Sequence, residues 1–315
     1  MRAKLGWVVL LVLLAGLSLL ALAFGPAGLT LDSQILASRV PRLLLTIFAG
    51  GILALVGAAL QGLLQNPLVD PYIIGSSSGA GVGVALSLLL GWTSVIGRPI
   101  FAFAGAVGAL FLVYTLARMR GRMSRLSLIL AGVAVSFVAS SLVMVLMVLS
   151  REQLAQIIYF LMGSTKVVFT PTKLWVFVGS AVLSFTAAGW LLSRWRSLDI
   201  LSTNIEAAES LGVDTQRLTT EVFVLSALLV GVVVAFAGAI SFIGLVVPHI
   251  VRFMFGPRHL RVLPGSFLAG AVLLLASDLC LRGFAMATGV DLPLSVVTAL
   301  FGVPVFLYIM RRRLA

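Results

Sequence analysis

"LLLTIFAGGILALVGAALQGLLQNPLVDPYIIGSSSGAGVG", residues 43–83, is apolar as far as Leu64. It then breaks into amides, two prolines, an aspartate and a run of tiny residues. A membrane-crossing helix needs about 20 apolar residues, and the run to Leu64 supplies them. Pro67 lacks a backbone donor and biases Asn66 away from helix, so the span ends at that corner, where the Asn66 amide can satisfy freed backbone groups. The Ser76–Gly83 run then opens a new helix whose small side chains permit close backbone approach. Tight helix packing and the lining of a path through the bilayer are both compatible with that run.

The same alternation of apolar run and polar break fills the chain. Of 315 residues, 61% are hydrophobic and 10% charged, against about half and a quarter in a soluble globule, so lipid is the solvent for most of the surface. Full-length apolar stretches fall at 5–24, 43–64, 72–96, 100–117, 126–149, 174–193, 222–240, 262–284 and 292–310. A shorter one lies at 242–255 and holds Pro248, His249 and Arg252. The expectation is an all-α, polytopic membrane protein of ten transmembrane helices, residues 1–315 forming a single transmembrane domain.

A net charge of +12 would suggest nucleic acid in a soluble protein. Here its distribution points elsewhere. With ten spans and a cytoplasmic N-terminus, Arg2, Lys4, Arg118, Arg120, Arg122, Arg125, Arg194, Arg196, Arg217, Arg252, Arg258, Arg261 and Arg311 to Arg313 all lie inside. Short basic loops resist translocation, so both termini are expected in the cytoplasm, with no nucleic-acid partner. Ala21-Leu22-Ala23 resembles a signal cleavage site, but the apolar run is long for a signal core and more spans follow, so it reads as the first span. Cys280, the lone cysteine, excludes an internal disulfide and reads as a small buried hydrophobe.

Ion-coupled carriers need ionisable groups deep in the bilayer. Asp32, Asp70, Glu152, Asp199, Glu206, Glu209, Asp214, Glu221 and Asp291 sit in loops or at span ends, leaving Asp278 as the one intramembrane carboxylate. It lies about a turn from Arg282, which favours a local ion pair over a proton relay. A self-contained secondary transporter using Asp278 is the alternative function. Neither His249 nor His259 has a second metal ligand at helical spacing, no catalytic triad is suggested, and there is no phosphate-binding Gly-x-x-x-x-Gly-Lys-Ser/Thr loop. The chain is therefore expected to be no enzyme and to hold no metal or cofactor, its energy coming from a partner.

"LSTNIEAAESLGVDTQRL", residues 201–218, lies on the expected inner side. Thr203 followed by Glu206 forms a capping box, Gly212 can stop that helix in a left-handed turn, and Asp214 can cap a second. Two short helices with a sharp bend are predicted, with Ile205, Leu211 and Val213 as apolar contacts. A hairpin lying on the membrane and a docking element for a partner fit equally well. On the outer side "SRVPR", residues 38–42, places Arg39 and Arg42 against the charge trend, and Arg282 joins them. Snorkelling explains scattered cases, while three together also make a basic patch for an acidic protein.

Five segments in order, "RVPRLLLTIFAGGILALVGAALQGLLQNPLVDPYIIGSSSGAGVG", "LILAGVAV", "AESLGV", "GAISFIGLVVPHIVR" and "LPLSVVTALFGVPVFLYIMRR", resemble the FecCD-type permeases. These are the membrane subunits of binding-protein-dependent ABC importers for ferric siderophores, haem and cobalamin. The resemblance implies the type II ABC importer permease fold and a homodimer with the path between two copies. It also implies two ATPase subunits carrying ATP and Mg, and a solute-binding protein. It assigns ATPase coupling to Glu206, Ala207, Ala208, Glu209, Ser210, Leu211, Gly212 and Val213, and the cytoplasmic gate to Asn66, Pro67 and Leu68. Binding-protein docking falls to Arg39, Arg42 and Arg282. A second gate element precedes the fifth span, where "RMSRLSL" places Ser124 and Arg125 instead of the small Ser/Thr pair of some relatives. A ferric siderophore is the favoured cargo, then cobalamin, then haem, in a bacterial or archaeal inner membrane.

Overall fold

The computed structural model describes all residues except 1, 26, 27, 29–31, 93, 95, 119–123, 151, 152 and 315. Arg120, Arg122 and Glu152, used above for topology, lie outside the described residues, as do the side chains of Arg2, Arg312 and Arg313. The described residues are helical with no strand. In chain order the first helices are α1 (Arg2–Ala23), α2 (Ser33–Leu63), α3 (Ser76–Leu89), α4 (Gly97–Ala117), α5 (Arg125–Leu149), α6 (Leu154–Leu161) and α7 (Pro171–Ser193). There follow α8 (Trp195–Leu201), α9 (Ile205–Ser210), α10 (Thr215–Ala237), α11 (Ile243–Phe255), α12 (His259–Thr288) and α13 (Leu294–Leu314). A 3-10 turn, Pro71–Ile74, precedes α3.

Seven of these helices, α1, α2, α4, α5, α7, α10 and α12, are long and apolar enough to cross a membrane. Helices α3 and α11 are shorter, and α13, 21 residues long, completes the set. These ten helices fall on the ten apolar stretches; 242–255 is short as expected, and α3 is short where a full span was expected. The stretch 72–96 is the main departure. Its first residues are spent on the 3-10 turn and the left-handed Gly75, and its helix ends at Leu89 before the left-handed Gly91.

Helix α2 is the axis of the bundle, with every residue from Phe48 to Leu64 buried. Its closest partner is α12, where a Cβ on Gly50 would stand 2.4 Å from the Gly270 carbonyl oxygen and one on Gly270 2.2 Å from that of Gly50. Without a hydrophobic drive between helices in lipid, such backbone approach is how they gain contact. The Ser76–Gly83 run serves the same end. A Cβ on Gly83 would fall 1.9 Å from the Phe101 carbonyl oxygen and one on Gly79 2.5 Å from that of Gly105, so these glycines seat α3 on α4.

Two irregular segments meet inside the bundle. The chain after Asn66 turns inward, so that Pro71 packs on Gly244 and the Tyr72 hydroxyl accepts the Ile240 N–H at 2.8 Å. Residues 238–242, between α10 and α11, are the other segment. Buried backbone without helix survives in a membrane only where protein groups satisfy it. Gln61, buried in α2, directs its amide nitrogen at the carbonyls of Leu245 (3.1 Å), Val69 (3.3 Å) and Gly244 (3.4 Å), while its oxygen accepts from Arg252 at 2.5 Å. Polar groups gather at the two ends of the bundle. Arg42 on α2 and Gln65 just past its end mark them, separated by about 35 Å of helical rise, enough for a hydrocarbon core of about 30 Å.

Candidate coupling and gate site

The corner is built by local hydrogen bonding. Gln65 takes a left-handed φ of 47°, turning the chain out of α2. The Asn66 side chain accepts the Leu68 N–H at 2.9 Å, closing a small turn that the preceding Pro67 constraint favours. Leu68 is pushed into the open, 52% exposed, while Val69 is buried. Asp70 then caps the 3-10 turn by accepting the Tyr72 N–H at 2.9 Å. Burial pushes the Asp70 carboxyl up to about 6, and the Tyr72 N–H pulls the other way.

Gln65 does more than turn the chain. Its amide nitrogen donates to the Leu201 carbonyl at the end of α8, and its oxygen accepts from Arg125 at the start of α5. One side chain therefore joins the corner, the second expected gate element and the loop 201–218. Ser124 caps α5 in a reciprocal pair with Ser127.

Loop 201–218 departs from its predicted capping. Asn204, not Thr203, caps α9, its side chain accepting the Glu206 N–H at 2.9 Å, while the Thr203 hydroxyl donates back to Ile200. An asparagine that can adopt the extended cap conformation outcompetes its neighbour for the free N–H groups. Gly212 ends α9 as expected, at φ 80°, with Gly212 N–H donating to Glu209 and Val213 N–H to Ala208. This pair of bonds is the Schellman arrangement, which requires the left-handed residue. Asp214 caps the next helix by accepting from Arg217, but that helix is the long α10 and not a second short one. Among the coupling candidates only Ala208 is buried, and Leu211 stands 69% exposed. Glu209 holds α9 to α10 by accepting from the Thr215 hydroxyl at 2.8 Å.

At the other end the three arginines of the expected basic patch turn inward. Arg39 donates to the carbonyls of Leu22 and Ala23, both at 2.7 Å, and of Gly28 at 3.1 Å. Arg282 donates to Ala21 at 2.6 Å and Phe24 at 3.1 Å. The end of α1 carries orphan carbonyls and the negative pole of its dipole, and two guanidiniums satisfy both. Arg39 is 5% and Arg282 2% exposed, so an acidic partner would have to displace these bonds. Arg42 instead reaches Asp278, which also receives Arg282 and the Thr165 hydroxyl, at 2.6 to 3.1 Å. The expected Asp278–Arg282 pair is present, but with both carboxylate oxygens committed to donors this residue is a structural anion, not a relay. Cys280 is exposed on the opposite side of α12, against its expected burial.

The FecCD transport family model matches residues 6–312. The chain belongs to that family. It is 38% identical over 284 residues, 87% of this chain and 72% of the other, to the cobalamin import system permease protein BtuC of Halobacterium salinarum. It is 36% identical over 282 residues, 87% of this chain and 82% of the other, to the hemin transport system permease protein HmuU of Yersinia pestis. A solved metal-chelate type ABC transporter in an inward-facing conformation superposes with a TM-score of 0.86 at 33% identity, covering 98% of this chain and 99% of that one. This FecCD chain is thus a multi-pass membrane permease subunit of an ABC importer of the metal-chelate, cobalamin and haem class, not itself an enzyme.

Sequence reasoning missed the polar residues that tie this FecCD permease together: Gln61, Gln65, Thr165 and the Asp199–His259 contact. Asp199 of α8 accepts both the His259 backbone N–H at 2.8 Å and its Nδ1 at 2.6 Å, capping α12. An uncompensated amide such as Gln61 inside an apolar run was the available signal, because a buried polar group must have partners.

Proposed function

We propose that this permease works as a homodimer, with two ABC ATPase subunits below and a solute-binding protein above, carrying a large metal chelate inward. Both termini, the corner and α9 face the cytoplasm in this reading, as the excess of basic residues at that end favours. ATP and Mg act on the ATPase. Residues Glu206 to Val213 form the coupling element, and Asn66, Pro67 and Leu68 the cytoplasmic gate. The observation that carries this reading is the Gln65 junction, which bonds the corner to both the α5 start and the loop bearing α9. A displacement of α9 by a partner has a bonded route to the corner without any ion bound in the membrane.

For the cargo we place cobalamin first, ahead of haem and the ferric siderophore favoured from sequence, because the relatives compared carry cobalamin and hemin in their names. The reading is tested by reconstituting the permease with its ATPase and binding protein in vesicles. ATP-dependent uptake of labelled cyanocobalamin exceeding that of haem or ferric siderophore is expected. Uptake driven by an ion gradient with no ATPase present would overturn the importer mechanism, and preferential siderophore uptake would overturn the cargo alone.

A further inference from the structure

An apolar groove of about 390 Å³ runs down the side of the bundle between α4 and α7, with α10 as its floor. Pro99 and Phe103 form one wall, Val176 and Leu183 the other, and Leu229 and Phe236 the bottom. Leu183 is 71% exposed whereas Leu229 and Phe236 are buried, so the groove opens sideways toward lipid. The serines lining it, Ser180 and Ser184, spend their hydroxyls on the α7 carbonyls of Phe177 and Ser180, leaving an apolar wall. Val176 to Ala187 on α7 gives the groove a length of about 16 Å, which suits a hydrocarbon chain.

Two cations stand at its mouth. Arg98 precedes Pro99 in the first turn of α4, and Lys173 lies one turn above Val176 in the first turn of α7. They stand at the same end of the two walls of the groove, beside Pro99 and Val176. Like charges repel, so their juxtaposition stores a preference for an anion between them. Neither makes an ion pair with a carboxylate among the described residues. Arg98 gives one nitrogen to Gln156 at 2.7 Å, and its Nε is buried without a partner. Among the described residues Lys173 has only the Phe169 ring, 5.9 Å away, beneath its ammonium. Both helices also point their N-termini, the positive dipole ends, toward this place.

We propose that this groove is a binding site for an anionic phospholipid of the leaflet at the Arg42 end of the bundle, opposite the corner. Its phosphate sits between Arg98 and Lys173 and one acyl chain lies in the groove. Charge at the mouth and hydrocarbon below match a single amphiphile, whereas a protein helix or a second copy would meet two cations with no reason for them.

The test is lipid retention. The permease is passed through nanodiscs of equal phosphatidylglycerol and phosphatidylcholine, extracted mildly, and its bound lipids are counted by native mass spectrometry. Phosphatidylglycerol is expected to be retained preferentially, with a loss of about fivefold for each of Lys173→Gln and Arg98→Gln. Filling the groove by Ala187→Phe should abolish retention. Equal retention of the two lipids, or retention indifferent to both charge variants, would overturn the proposal. So would retention that Ala187→Phe leaves intact, which would mean headgroup contact alone. Disulfide trapping of two copies through Ile100→Cys would show the groove covered by protein and would also overturn it. Should the bulky variant misfold, the two charge variants, both in the first turns of their helices, decide the matter.

Discussion

The two polar ends of the bundle hold similar chemistry to opposite effect. At the clamp end Arg39, Arg42 and Arg282 are turned inward, and each finds acceptors within the chain: the last carbonyls of α1 and the carboxylate of Asp278. At the corner end the polar groups are more open, Gln65 alone joins three segments, and α9 projects an apolar Leu211 beyond them. The contrast separates two kinds of signal. Charge concentrated at one end of a membrane protein can be entirely absorbed by helix termini. An exposed leucine on a helix outside the apolar spans has no such internal account and points to a partner.

The clamp end should break most severely. Replacing Asp278 by Leu leaves Arg42 and Arg282 buried without their anion, and loss of one partner from such a group costs about 3–5 kcal/mol. Thermal unfolding in detergent should show a large drop, and an unchanged midpoint would mean the arginines find other acceptors. Arg39→Leu should cost less, about 1.5–3 kcal/mol for its bonds to α1 carbonyls. It also separates clamp from docking. A stability loss with unaltered binding-protein affinity in the folded fraction supports the clamp, whereas weaker binding at normal stability would restore the docking role. At the corner end Gly212→Val forces a β-branched residue into φ 80°, at about 1–2 kcal/mol confined to the loop. The assembled transporter should keep hydrolysing ATP while uptake falls, and normal uptake would remove α9 from coupling.

The same contrast explains what the sequence could tell. Apolar runs of spanning length are a periodic property of the chain itself, so the all-helical membrane class was legible, as was the stop at Pro67 and the left-handed Gly212. The short 242–255 piece was legible too, but the shortening of α3 was not, because it follows a tertiary event, the meeting of Pro71 and Tyr72 with Gly244 and Ile240. The packing role of Gly79 and Gly83 likewise needed the position of α4. For the site, residue order pointed to the corner and to α9, but Gln65 joins segments more than a hundred positions apart in part, and no local pattern encodes that. The inward turn of the arginines was hidden for a related reason. Their acceptors are backbone carbonyls, which every residue carries and no sequence displays.

The smallest structural effect is expected at Leu211, and it is the sharpest probe of the comparison. Its side chain is exposed and α9 is anchored by Ala208, the Asn204 cap and the Schellman turn, none of which Leu211→Ser touches. Stability should therefore move by no more than about 0.5 kcal/mol, the usual range for surface positions. Yet an apolar tip outside the spans contributes nothing to this chain by being exposed, and burying a leucine in a partner's groove is worth about 1.5–3 kcal/mol. Leu211→Ser should accordingly leave the melting curve in place while weakening co-purification with the ATPase about tenfold or more. Unchanged co-purification would place the tip against lipid headgroups and leave α9 as a hairpin lying on the membrane. A fall in stability to match the lost assembly would instead mean that the corner end, like the clamp, spends its residues on its own fold.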